Sequence, residues 1–205
     1  MSAAADNDGD TYTVCNGDCD DNDPTVYPGA PEITCDGVDN DCNPVTLDDP
    51  TPPTAVCQPV LAYLDGTGNA TITEADVDFG STDNCGAITM GISQSSFTCA
   101  DLGSQTVTLT VTDGEGNQAT CASTVTVIDS LAPVPDASLL LPISAACQLD
   151  TIAFFPQATD NCAGTSITIT NDATFPIATL GTTVVTWSYD DGNGNISTQT
   201  QDVVV

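Results

Sequence analysis

From residue 103 onward apolar and polar side chains alternate. Val107, Leu109 and Val111 interleave with Thr106, Thr108, Thr110 and Thr112, and Val125 and Val127 interleave with Thr124 and Thr126. A period of two puts each apolar set on one face of a half-buried antiparallel strand. Between the two runs, Asp113-Gly114-Glu115-Gly116-Asn117 supplies residues that tolerate positive φ, so the pattern predicts a hairpin. The alternation returns at Val185, Trp187 and Tyr189, which reads Trp187 as core rather than as an exposed sugar platform. No long segment has helical spacing.

The chain also repeats itself. Thr82-Asp83-Asn84-Cys85 recurs as Thr159-Asp160-Asn161-Cys162, and the hairpin at 103–117 recurs at 181–195, where Asp191-Gly192-Asn193-Gly194-Asn195 forms the turn. The offset of 77 to 78 residues is the size of one small β-sandwich. A Pro-rich stretch, Asp48-Asp49-Pro50-Thr51-Pro52-Pro53, separates these repeats from an Asp/Cys/Gly segment. The expected organisation is therefore all-β: a small loop-rich domain stabilised by disulfides and calcium over residues 1–49, then two tandem sandwiches over 50–129 and 130–205, joined through 130–135.

Charge narrows the function. The chain of 205 residues has 29 acidic side chains and no lysine, arginine or histidine, for a formal net charge of -29. Without basic groups there is no electrostatic footprint for nucleic acid or phosphate. There is no His for a Ser/His/Asp or Cys/His centre and no Schiff-base lysine, so the chain is not read as an enzyme. All of the acid except Glu32, Glu74 and Glu115 is Asp, a poor helix former and a short-armed oxygen ligand suited to calcium loops.

Residues 6–12 read Asp-Asn-Asp-Gly-Asp-Thr-Tyr, with carboxylates at loop positions 1, 3 and 5 (Asp6, Asp8, Asp10) and the Tyr12 carbonyl at 7, which is how an EF-hand-type calcium loop begins. Position 12 is Gly17 instead of a bidentate Glu, so the closing ligand should come from Asp18, Asp20, Asp21 or Asp23. A second ion is expected where Asp36, Asp39, Asp41 and the Val38 carbonyl lie between Cys35 and Cys42, held together by a disulfide. Two or more Ca2+ ions follow, and calcium is preferred over zinc because hard oxygen ligands dominate. A solvated acidic tail would not need four cysteines, glycines at fixed offsets, or the apolar set Val14, Val26, Tyr27, Ile33 and Val38. So small a segment has too few apolar side chains to fold unaided.

Ten cysteines imply an oxidising, extracellular compartment and five disulfides. Shifting Cys57 and Cys121 by the repeat offset finds no cysteine in the second copy, which favours a Cys57–Cys121 bond. The same reasoning pairs Cys85 with Cys99 and Cys147 with Cys162. Cys15, Cys19, Cys35 and Cys42 are then left to one another, with three connectivities open. The apolar run at 139–141 is far too short to span a membrane, and neither a signal peptide nor a membrane span is expected.

The segment from Asp6 to Pro44, with Gly-Asp-Cys-Asp-Asp, Tyr-Pro-Gly-Ala-Pro-Glu and Cys-Asp-Gly-Val-Asp-Asn-Asp-Cys, resembles the MopE-type metal-binding motif of bacterial secreted proteins. Residues 53–129 and 133–205, with Thr-Asp-Asn-Cys and the Asp-Gly-Xaa-Gly-Asn hairpin, resemble hyalin repeat (HYR) domains. That resemblance implies immunoglobulin-like adhesion modules and a binding or structural role at the cell surface.

At Asp83-Asn84 and Asp160-Asn161 a structural Asx turn is favoured over an ion. Asn69-Ala70-Thr71 and Asn195-Ile196-Ser197 match the glycosylation pattern by chance. The leading function is a calcium-dependent extracellular structural protein: an adhesin segment or a filament subunit. It would form a homo-polymer through shared calcium and through an edge left by the closing strand at residues 202–205, with a cell-surface or glycan ligand as a further partner class. The alternatives are a carbohydrate-binding accessory module and a hydrolase working through paired carboxylates alone.

Overall fold

The computed structural model describes residues 5–46, 48–164 and 166–205, and the fold is all-β. Twelve strands follow in chain order: β1 (Val60–Tyr63), β2 (Asn69–Thr71), β3 (Thr89–Ile92), β4 (Ser96–Thr98), β5 (Gly103–Thr112), β6 (Gln118–Ile128), β7 (Val134–Pro135), β8 (Ile143–Ser144), β9 (Ala158–Thr159), β10 (Thr168–Asn171), β11 (Thr182–Asp190) and β12 (Ile196–Val204). Among the described residues the longest helix is one turn, Glu74–Val77, started by a capping box between Thr73 and Asp76. No helix among the described residues is long and apolar enough to cross a membrane.

By packing, the chain divides into two compact units, Met1–Pro59 with Thr73–Gln94 and Thr106–Thr124, and Val60–Ile72 with Ser95–Gln105 and Val125–Val205. In the first unit β3 pairs antiparallel with β5, from Thr89 opposite Thr112 to Ile92 opposite Leu109. Val107, Leu109 and Val111 are fully buried there, as their alternation requires. The predicted hairpin closes with the Asp113 N–H donating to the Asn117 carbonyl, and Gly116 takes φ +91°.

In the second unit β1 runs parallel to the end of β6, Val60 opposite Val125 through Tyr63 opposite Ile128, and the second sheet has the order β10-β11-β12-β8. Its core gathers Ile152, Ala158, Ile177, Val185, Trp187, Tyr189 and Val203. Trp187 is fully buried, with Phe155 set edge-on against it at 5.3 Å. The edge expected at residues 202–205 is absent. β12 lies between β11 and β8, with Val203 opposite Ile143 and Val204 opposite Ser144, so the closing strand has ladder partners on both sides.

The disulfides correct the pairing expected from the repeat. Cys57–Cys121 is present, but Cys85 is bonded to Cys35 and Cys99 to Cys162, while Cys19 pairs with Cys42. Cys15 and Cys147 are free and exposed, so the bonds number four among the described residues. The inference had assumed that each repeat closes on itself. Instead the Thr-Asp-Asn-Cys turn in both copies ties to chain far upstream, 50 residues back for Cys85 and 63 for Cys162. Each of the four bonds closes a loop worth roughly 3 to 4.5 kcal/mol in the chain-entropy description.

Candidate metal centre

The acidic segment is built on hydrogen bonds more than on apolar contact. Of the apolar set expected to anchor it, only Val26 is buried; Val14, Ile33 and Val38 face solvent. Ala30 joins Val26 in the interior, and the Tyr12 and Tyr27 rings stack at 5.4 Å. The fully buried Asn40 links the segment's two halves: its side-chain oxygen accepts from the Ile33 N–H at 2.8 Å and its carbonyl from the Tyr27 N–H at 2.9 Å. So few apolar contacts leave folding to the disulfides, to these polar links and to whatever neutralises the carboxylates.

Residues 6–12 wrap on their own carboxylates. Asp6 accepts from the Gly9 N–H at 2.6 Å and the Thr11 N–H at 3.1 Å, Asp8 from the Asp10 N–H at 3.2 Å, and Asp10 from the Tyr12 N–H at 2.7 Å. The wrap needs positive φ at Gly9 (+88°) and at Thr11 (+84°), a region that a β-branched residue seldom adopts. Asp6, Asp8 and Asp10 are thereby brought together, each offering an oxygen within 4.8 Å of the others. Ligands at 2.3–2.6 Å around one Ca2+ lie at such separations. On both Asp8 and Asp10 the second oxygen is buried and has no hydrogen-bond partner. Burial, and then repulsion from Asp10, Asp18 and Asp6, holds the Asp8 carboxyl above its ordinary range against one hydrogen bond from the Asp10 N–H.

The predicted closing ligands separate. Asp18 is buried with one oxygen bonded to the Asp20 N–H and the other without a partner, and its charge reaches Asp8. Asp21, also buried, accepts from both the backbone and the side-chain amide of Asn7. Asp20 and Asp23 serve turns of their own. Asp20 accepts from the Asn22 amide, and Asp23 accepts from the Thr25 hydroxyl and N–H, which hold its carboxyl below the usual range.

Around the second expected ion the structure joins Asp39 and Asp41 with Glu32, again with oxygens within 4.8 Å of one another. Asp36 caps its own turn through the Val38 N–H. No Cys35–Cys42 bond holds this loop, because Cys42 is bonded to Cys19 and Cys35 to Cys85. Glu32 is the ligand candidate that spacing missed. Its longer arm reaches back to accept from the Asp41 N–H at 2.9 Å and the Asn40 N–H at 3.4 Å. A glutamate among aspartates, directly after the Pro of Tyr-Pro-Gly-Ala-Pro-Glu, was the signal available.

Residues 18–47 match the family model Cu-binding_MopE, described as "Putative metal-binding motif". No curated protein matches the chain in sequence. Among solved structures it is similar to Sidekick-1 immunoglobulin domains 1-5 at 12% identity and TM-score 0.38, covering 76% of this chain and 40% of that one. It is also similar to human Protocadherin-24 EC1-2 at 14% identity and TM-score 0.37, covering 76% of this chain and 98% of that one. The chain thus spans about two fifths of the Sidekick-1 structure.

Proposed function

We infer that this chain is a calcium-binding extracellular structural module of the adhesion type, a segment of a surface filament or adhesin. The observation that carries this reading is the group Asp6, Asp8 and Asp10: converging carboxylates, two with buried oxygens lacking partners, in a chain that has no lysine, arginine or histidine to neutralise them. A hard divalent cation meets that need. Copper is disfavoured because the chain has no histidine, the described part of the segment has no methionine, and eight of the ten cysteines are consumed as disulfides. Those disulfides support an oxidising, extracellular setting. The resemblance of residues 53–129 and 133–205 to HYR domains rests on their sequence motifs alone, since the family model that matches the chain covers residues 18–47.

A glycan-binding face has no support at Trp187 and Tyr189, which are buried and hydrogen-bonded to Gln201 and Gln199. Self-association, if it forms the filament, then runs through shared ions in place of the closing strand. Calorimetric titration with Ca2+ and with Cu2+, followed by amide exchange, tests the reading. Calcium should bind and protect residues 5–46, and sedimentation should show assemblies that dissolve in chelator. Absence of calcium binding at millimolar concentration, or stronger protection by copper, overturns it.

A further inference from the structure

The repeats carry a carboxylate grouping of their own, distinct from the Asp6–Asp10 and Glu32–Asp41 groups and in corresponding places. In the second copy, Asp129, Asp160 and Asp191 offer oxygens within 4.8 Å of one another. In the first copy, Asp49 stands in the same relation to Asp83 and, separately, to Asp113 and Glu115. Cys85 also lies beside Asp49 but is spent in its disulfide. The positions correspond one by one. Asp49 and Asp129 immediately precede their sandwiches, Asp83 and Asp160 lie in the Thr-Asp-Asn-Cys turns, and Asp113 and Asp191 open the Asp-Gly-Xaa-Gly-Asn hairpins.

The surrounding hydrogen bonds correspond too. The amide of Asn117 donates to the Asp113 carboxylate at 2.8 Å and to the Asp49 carbonyl at 2.7 Å. The amide of Asn195 donates to Asp191 at 2.7 Å and to the Asp129 carbonyl at 3.2 Å. In both turns one carboxylate oxygen makes the Asx turn expected from the sequence, to the N–H of Cys85 or of Cys162. The other oxygen, on Asp83 as on Asp160, is buried with no partner. Asp49 is wholly buried, and while one of its oxygens accepts from the Asn84 amide and the Thr51 N–H, the second has no partner. Asp113, Asp129 and Asp191 are buried as well.

Buried carboxylates this close are stable only when neutralised, and the chain has no basic side chain to do it. We propose that each repeat binds one hard divalent cation, Ca2+ by its all-oxygen ligands, between its leading aspartate and the aspartates of its turn and hairpin. The ligands are Asp49, Asp83 and Asp113 in the first repeat and Asp129, Asp160 and Asp191 in the second. An open cleft lined by Asp83 and Asn84 in the one, and by Asp160 and Asn161 in the other, gives an ion access.

The test is the number of calcium ions held by the full chain, counted by native mass spectrometry and equilibrium dialysis. The D49N/D113N variant should lose one ion and D129N/D191N another, each with at least a tenfold weakening at its site. D6N/D8N/D10N should lose ions while keeping these two. If that triple variant keeps both while showing that the acidic segment held none, the proposed function loses its carrying observation and this proposal stands. Unchanged stoichiometry in both repeat variants overturns it. Should those variants misfold, anomalous diffraction from wild-type crystals soaked in Tb3+ decides: peaks between the named aspartates sustain the proposal, and their absence beside occupied sites elsewhere refutes it.

Discussion

In the first repeat Cys121 of β6 is bonded to Cys57, 64 residues earlier. In the second, Gln199 of β12 stands at the corresponding position. Its amide nitrogen donates to the Ala137 carbonyl at 2.7 Å, and its amide oxygen accepts from the Tyr189 hydroxyl at 3.0 Å. Ala137 lies as far beyond Asp129 as Cys57 lies beyond Asp49. Gln201 repeats the arrangement one step along the strand, donating to the Leu141 carbonyl at 2.7 Å and accepting from the Trp187 indole at 3.0 Å.

A covalent staple has therefore been exchanged for amide bridges, and the core changes with it. Val107, Leu109 and Val111 need no polar partner, whereas the corresponding Val185, Trp187 and Tyr189 bring an N–H and an O–H that must be satisfied when buried. One repeat limits its unfolded state; the other fills its folded state more fully.

Four experiments would break or sharpen this contrast. The largest effect should come from Trp187→Ala, costing about 3–5 kcal/mol by thermal unfolding and sparing protection in β5 and β6. The pair Cys57→Ser and Cys121→Ser should cost about 2–4 kcal/mol and act on the first repeat alone, read by amide exchange in β5. Gln199→Ala should cost about 1–3 kcal/mol, because the buried Tyr189 hydroxyl loses its acceptor. A loss in the second repeat from the serine pair equal to that from Gln199→Ala would erase the distinction.

The smallest effect is in acid. Thr67 holds the Asp65 carboxyl low, the Thr73 N–H and hydroxyl do the same for Asp76, and the Thr186 N–H does so for Asp172. A folded pKa below the unfolded value gives stability that is complete above about pH 4 and lost as pH falls further through the folded values. Chelator-treated protein should therefore hold its turn protection at pH 5 and lose it progressively as pH falls below about 4. The variants Asp65→Asn and Asp172→Asn should flatten that decline.

Strands and hairpins were legible because burial of one face imposes a period of two, and Val107 through Val127 obey it. The hairpin turns were legible because glycines at fixed offsets announce positive φ. Disulfide partners were not. A comparison of repeats reveals which cysteines come and go, but Cys85 and Cys162 bond to chain outside their own repeats, where the repeat carries no information. Asp83 and Asp160 were read as turn residues because Asx geometry accounts for one carboxylate oxygen, and only burial shows the other to be unaccounted for. Glu32 escaped because its reach of nine residues back from Asp41 follows no local spacing.

The disulfides also overlap along the chain: Cys35–Cys85 encloses Cys57, and Cys57–Cys121 encloses Cys99, which is bonded to Cys162. Tension pulling on the backbone upstream of Cys35 and downstream of Cys162 need not run through the strands between them. It passes across one sulfur bridge, along the residues from Cys85 to Cys99, and across another. At about 3.5 Å per residue, a stretch that could pay out on the order of 400 Å is held to roughly 50 Å. Most of the first repeat is thus a mechanical fuse already closed, while the strands β10, β11 and β12, which lie beyond Cys162, are the part free to extend and absorb a sudden load.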